Sequence, residues 1–147
     1  VDGVSLGKTR DMVVHGVHVE RVYDVVRARG NSQEGRTSPR GRLFLVDRLW
    51  PRGVSRASLE GVEWLREAAP SSELRSWFGH DPERFAGFAE RYRAELDARP
   101  EAVEPVLAAA RRGPVTLLYA ARDTEHNHAL VLRDHVEERL SEDAGSG

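Results

Sequence analysis

The chain has 147 residues, 39% of them hydrophobic and 31% charged, with a formal net charge of -2 and a mean hydropathy of -0.54. That size suits one domain with one core, and no stretch approaches the roughly 20 apolar residues that cross a bilayer. Cys is absent, which excludes disulfides, thiolate metal sites and a cysteine nucleophile.

Residues 1–14 read as an aperiodic lead-in. They lack the apolar block of an export signal, so a cytoplasmic protein is expected. His18 to Tyr23 is β-prone and predicts a strand. Residues 27–41, with three Gly, a Pro and four Arg, read as a loop. A loop without helical pattern favours a hairpin-like return over a parallel crossover, with the parallel pair left open. Leu43 to Val46 is a continuous apolar run ending at Asp47, and Val115 to Ala121 is a second. Such runs mark strands buried on both faces, as in parallel sheets covered by helices.

Helices are expected between these two strands. Ser58 can cap a segment carrying Leu59, Val62 and Leu65 that stops at Pro70. Ser71 or Ser72 can cap a short helix with Leu74, Trp77 and Phe78, ended by Gly79. Asp81-Pro82 is a cap followed by a first-turn proline, and Phe85, Phe88, Ala89, Tyr92 and Leu96 form a helical stripe after it. Val103, Val106, Leu107 and Ala110 repeat the pattern, and Arg111-Arg112-Gly113-Pro114 stops it. Asp123 or Thr124 can cap a last helix with Ala129, Leu132, Val136 and Leu140. The polar residues 141–147 read as a flexible tail. The whole predicts a single α/β domain over residues 15–140, with Rossmann-like layering on a small, mostly parallel or mixed sheet.

In open α/β sheets, ligands bind where loops leave the carboxyl ends of the strands. That rule selects residues 47–53 and 122–128. Arg48 and Arg52 flank the stiff Trp50-Pro51 turn, and Arg75 lies near a helix start. Arginine forks match phosphate or carboxylate oxygens, and a helix start near Asn127 would add backbone N–H groups. The competing structural reading pairs Arg48 with Asp47 or another acid and leaves Trp50 in the core. Asp47, Asp123 and His128 could instead do acid/base work, because the helix dipole favours a neutral imidazole at His128. Asn127 and Tyr119 would position a substrate. The structural alternatives make Asp123 a cap, His128 a partner of a strand carbonyl, and Tyr119 a core ring.

No metal is expected. His126 and His128 sit about 200° apart if both are helical, and His80 and Asp81 would help only if brought near. No G-x-S-x-G, P-loop or G-x-G-x-x-G stands in the chain, so no cofactor is assigned.

Two blocks also carry a resemblance. Leu45-Val46-Asp47-Arg48-Leu49-Trp50-Pro51-Arg52-Gly53 and Thr116-Leu117-Leu118-Tyr119-Ala120-Ala121 with Asn127-His128-Ala129 resemble the YeaO-like family of bacterial proteins of unknown function. Arg21-Val22-Tyr23-Asp24, Ala69-Pro70-Ser71, Leu74-Arg75, Phe88, Tyr92 and Glu95-Leu96 extend the match over roughly residues 20 to 136. The resemblance implies a compact cytoplasmic α/β domain and supplies no established activity.

Two functional expectations stand together. One is an anion-binding cleft at the strand ends, in a small enzyme or former enzyme acting on a nucleotide or phosphorylated metabolite. The other is a non-catalytic module that docks nucleic acid or an acidic protein through residues 21–56, where nine Arg face Asp24, Glu34 and Asp47, a net of +6. No membrane partner is expected, and the oligomeric state is not legible in the sequence.

Overall fold

The computed structural model describes residues 16–30 and 41–146. Four strands form one parallel sheet: β1 (Val17–Arg21), β2 (Arg42–Leu45), β3 (Val62–Trp64) and β4 (Val115–Tyr119), in the order β1-β4-β2-β3. Five helices accompany them: α1 (Val22–Gly30), α2 (Ser72–Phe78), α3 (Phe85–Ala98), α4 (Glu104–Arg112) and α5 (His128–Ser146). The α/β class and parallel sheet expected from the apolar runs are what the chain adopts. Among the described residues, no helix is long and apolar enough to cross a membrane.

Alternation along the strands builds two cores. Phe44 and Val46, with Val115, Leu117 and Tyr119, face one side and pack under α2 to α5. Leu43, Leu45 and Leu118 face the other side and pack with Val22, Val25, Val54 and Leu59. The central strand β4 is buried at every position. It pairs with β1 on one side and β2 on the other, with Leu45 opposite Leu118. The carboxyl ends of β2 and β4 therefore lie side by side, and Val46 N–H continues the ladder to Leu118 O at 3.0 Å.

Several readings of the sequence are corrected. The first strand ends at Arg21, and Val22 opens α1. Val22 and Val25, three residues apart, are both buried, and each such side chain contributes about 1.5–3 kcal/mol. That gain overrides the weak helix propensity of valine. The expected hairpin return to β2 does not occur, since β1 pairs in parallel with β4. Of the expected 27–41 loop, residues 27–30 are helical, Gly41 leads into β2, and residues 31–40 lie outside the described residues, as do residues 1–14.

The expected helix from Ser58 to Ala69 is also absent. In its place stand a 3-10 turn (Ala57–Leu59), β3, and a second 3-10 turn (Arg66–Ala68). Gly61 at φ +85° turns the chain between them, and Val62 and Trp64 pair with Leu43 and Leu45. Ser55 Oγ precedes the first turn and accepts from Ser58 N–H at 3.1 Å.

A further correction concerns the last helix. It starts at His128 rather than at Asp123 or Thr124, and it runs to Ser146 through residues assigned to a tail. Asn127 is its cap, with Oδ1 accepting from Leu130 N–H at 3.1 Å. The other caps fall as the sequence implies. Ser71 Oγ accepts from Leu74 N–H, Gly79 is left-handed at φ +55°, and Asp81 precedes Pro82.

Gly41 fixes the entry to β2. A Cβ there would lie 1.8 Å from Pro114 O, at φ +69°. The close approach lets Arg42 N–H bond Pro114 O at 3.1 Å.

Candidate functional site

The loops that leave β2 and β4 enclose a cleft of about 500 Å³, within the usual range for small-ligand sites. Seven of the eight residues singled out from the sequence line it: Asp47, Arg48, Trp50, Arg52, Arg75, Asn127 and His128. Tyr119 does not. It is 3% exposed in the main core and borders a second depression beside β1, and burial pushes its hydroxyl pKa upward.

Asp47 is held as a latch. Its Oδ2 accepts from Ala120 N–H at 3.0 Å, and its backbone carbonyl accepts from Trp64 Nε1–H at 2.8 Å. Oδ1 is buried without a hydrogen bond, 3.1 Å from His128 Nε2. That nitrogen also lies 3.0 Å from Val46 O. Both neighbours are acceptors, so Nε2 carries the proton and donates to the carbonyl. The pair thus ties the ends of β2 and β4 to the first turn of α5. The strand-carbonyl partner expected as the structural alternative for His128 is the one present.

Asn127 is likewise committed to structure. Besides capping α5, it donates Nδ2–H to Asp123 O at 2.9 Å. Asp123 organises the preceding turn, accepting from Glu125 N–H at 2.8 Å and His126 N–H at 3.0 Å. These donors, the Glu125 amide first, hold its carboxyl below the usual range, and the His126 ring adds to the effect. His126 Nδ1 lies 3.0 Å from Asp123 Oδ2. His126 sits in this turn rather than on the helix, so helical geometry is not what separates its ring from that of His128. Among the described residues, no three His, Asp or Glu side chains are grouped to hold a metal.

The opposite wall is Ala69-Pro70, braced from α3. The Tyr92 hydroxyl donates to Ala68 O, and Glu95 accepts from both Ser71 N–H (2.9 Å) and Ser71 Oγ–H (2.6 Å). Burial drives the Tyr92 pKa well above its ordinary value, so the hydroxyl stays a donor. Phe78, stacked on Phe88 at 4.4 Å, gives the cleft an apolar floor.

Some arginines of the described residues are paired and others, inside and outside the cleft, are not. Arg42, Arg93, Arg99 and Arg111 are each bound to a carboxylate of another element. Arg48, Arg52 and Arg75 have no carboxylate partner among the described residues. Among the described residues, Arg48 donates only to Pro70 O, at 3.4 Å. The expected structural pairing of Arg48 with Asp47 is therefore not formed.

Sequence reasoning missed three contributors. Tyr23 donates its hydroxyl to Arg52 O at 2.9 Å and fixes the Trp-Pro turn from below. Glu95 braces the far wall. His80 lines the cleft at φ +59°, the one non-glycine residue with positive φ among the described residues. The Gly79-His80 pair after Phe78 was the available signal for the last of these.

Comparison with known proteins agrees with the resemblance read from residues 45–53. The family model described as "Inactive DUF488-N3 subclade" matches residues 16–147. The uncharacterised protein YeaO of Escherichia coli is 45% identical over 94 residues, covering 64% of this chain and 82% of its own length. Uncharacterised proteins of Mycobacterium bovis (Mb3100c) and Mycobacterium tuberculosis (Rv3073c) are each 40% identical over 92 residues, covering 63% of this chain and 77% of theirs. No solved structure matches.

Proposed function

The chain belongs to the family described as the inactive DUF488-N3 subclade, and from that premise we propose that its cleft binds a small anionic ligand, a nucleotide or phosphorylated metabolite, without turning it over. One observation carries the reading: Arg48, Arg52 and Arg75 line a concave site with no carboxylate partner among the described residues. An arginine left unpaired beside a cavity offers its fork to phosphate or carboxylate oxygens. The Phe78–Phe88 floor and the Trp50 wall suit a ligand with an apolar or ring-bearing part.

One atom of each group with acid/base chemistry is already engaged. Asp47 accepts from a backbone amide, and His128 Nε2 faces a backbone carbonyl. A general base needs a free lone pair within reach of the proton it takes, and these contacts favour a latch instead. The word "inactive" in the family description agrees with that reading. The rival docking surface of residues 21–56 includes residues 31–40, which lie outside the described residues.

The test is a thermal-shift screen of nucleotides, sugar phosphates and uncharged analogues, followed by phosphorus NMR of any ligand that binds. The reading expects stabilisation by the phosphate-bearing compounds and an unchanged ligand after prolonged incubation. Release of inorganic phosphate or of a free base would replace it with the enzyme reading.

A further inference from the structure

A second feature runs from the cleft wall onto the outer edge of the sheet. Trp50 borders the cleft, and Trp64 lies in the edge strand β3 with its ring 5.3 Å from that of Trp50. Both indole N–H groups are spent on backbone carbonyls, Trp50 on Val54 O (2.6 Å) and Trp64 on Asp47 O (2.8 Å). The rings are thereby fixed, and each is half-buried against the second core. The Arg56 guanidinium lies 4.2 Å from the Trp50 ring centre and 5.4 Å from that of Trp64. Arg66 lies 4.9 Å from the Trp64 ring on its own account. Cations and rings therefore follow one another as Trp50, Arg56, Trp64, Arg66.

The charge of this row is not neutralised. Arg56 and Arg66 are exposed and have no carboxylate partner among the described residues. Of the neighbouring acids, Glu63 binds Arg42 at 2.9 Å and Glu67 binds Arg99 at 2.6 Å, while Arg66 also acts on Glu67 through space and Glu60 is exposed. Exposed guanidinium groups with fixed aromatic rings between them are the recognition chemistry of single-stranded nucleic acid. Phosphates meet the cations, and unpaired bases stack on the rings or on the guanidinium planes. A duplex keeps its bases stacked inside and cannot use the rings.

We propose that the Trp50–Arg56–Trp64–Arg66 row binds single-stranded nucleic acid. The row shares Trp50 with the cleft but does not require the cleft to hold a free anion, so the two readings fail separately.

The experiment measures fluorescence anisotropy of labelled oligodeoxythymidylate and oligouridylate with the full chain at low salt. Unlabelled duplex DNA and polyglutamate serve as competitors. The proposal expects binding with quenching of tryptophan fluorescence in a Trp77→Phe background, and weak competition from duplex and polyglutamate. Replacing both Arg56 and Arg66 with Ala should weaken binding at least about fivefold. It should also flatten the salt dependence by about 0.7 per lost phosphate contact. The same double variant should keep any stabilisation by inorganic phosphate, which reads the cleft. The two oligomers separate DNA from RNA.

Several results would overturn the proposal. These are no binding at low salt, equal binding by the double variant, or equal competition by duplex or polyglutamate. The last would mark a general polyanion surface. If the double variant loses its fold and Trp64→Phe, which keeps a stacking ring, binds no oligomer, the row is a structural cover for the second core.

Discussion

Asp47 and His128, 81 positions apart in the chain, meet with Oδ1 3.1 Å from Nε2 at the point where β2, β4 and α5 converge. Each is only 15% exposed at its side chain, and each also binds backbone of the central strands or their extensions. The pair ties the ends of the two strands to the start of α5. Asp47→Ala would strand the Ala120 amide and leave the imidazole without its carboxylate. The expected loss is about 1–3 kcal/mol in urea denaturation. Asp47→Asn keeps an acceptor for Ala120 and should lose less. Equal stability of Asp47→Ala and the parent chain would remove the latch.

Gly41 tests the entry to β2. Gly41→Ala combines a left-handed φ of +69° with a Cβ 1.8 Å from Pro114 O, which is backbone and cannot swing aside. Its expected effect is failure to fold or a collapse in Tm. Gly53 has a similar φ of +78°, but a Cβ added there would meet nothing within 4 Å, so Gly53→Ala should cost only about 1–2 kcal/mol. Circular dichroism melts of the two variants separate the steric from the torsional cost.

The parts that were legible in the sequence are those governed by local rules. LFLV is apolar at successive positions and VTLLY nearly so, because both faces of β2 and β4 are covered, and the loops after parallel strands share an edge. The cleft position followed from that. Ser71, Gly79 and Pro82 act within one turn of themselves and were equally readable. The failures are tertiary. Val22 and Val25 look like strand residues until the second core exists to bury them. Leu59, Val62 and Leu65 have helical spacing, yet Val62 is claimed by its neighbour Leu43 across the sheet. Nor could spacing show that Asp47 would be taken up by an amide 73 residues away, leaving Arg48 without it.

His135 supplies a pH dependence. It is 3% exposed in α5, and its Nε2 is buried without a partner. Burial holds its pKa below 6.5. Asp97 and Glu138 oppose that shift, while Arg139 and Arg93 reinforce it. The unfolded chain therefore binds this proton more readily than the fold does. Its contribution to stability is fully present above the unfolded pKa and is lost as pH falls through the folded pKa. His135→Leu should flatten stability between pH 7 and about 5. An unchanged slope in urea titrations at both pH values would assign the effect to other groups.

His80 stores strain at the cleft lip. Its φ of +59° costs a non-glycine residue roughly 1–2 kcal/mol. His80→Gly should therefore raise Tm while weakening ligand binding, because the ring is lost from the lip. Isothermal calorimetry alongside the melt would show both signs. A variant that is stabilised and binds equally well would make the strained turn a feature of chain geometry alone.

The most direct measurement is the shift in Tm produced by inorganic phosphate at fixed ionic strength. It compares the parent chain, Arg52→Ala, Arg75→Ala and Arg99→Ala. Mass action gives about 2.7 kcal/mol of stabilisation at about 100 times Kd. Arg99 is bound to Glu67 and does not line the cleft, so its variant should respond like the parent. The account predicts a shift in those two proteins and a clear loss of it in Arg52→Ala and Arg75→Ala. The same shift in all four proteins, or none in any, would contradict an anion-binding cleft.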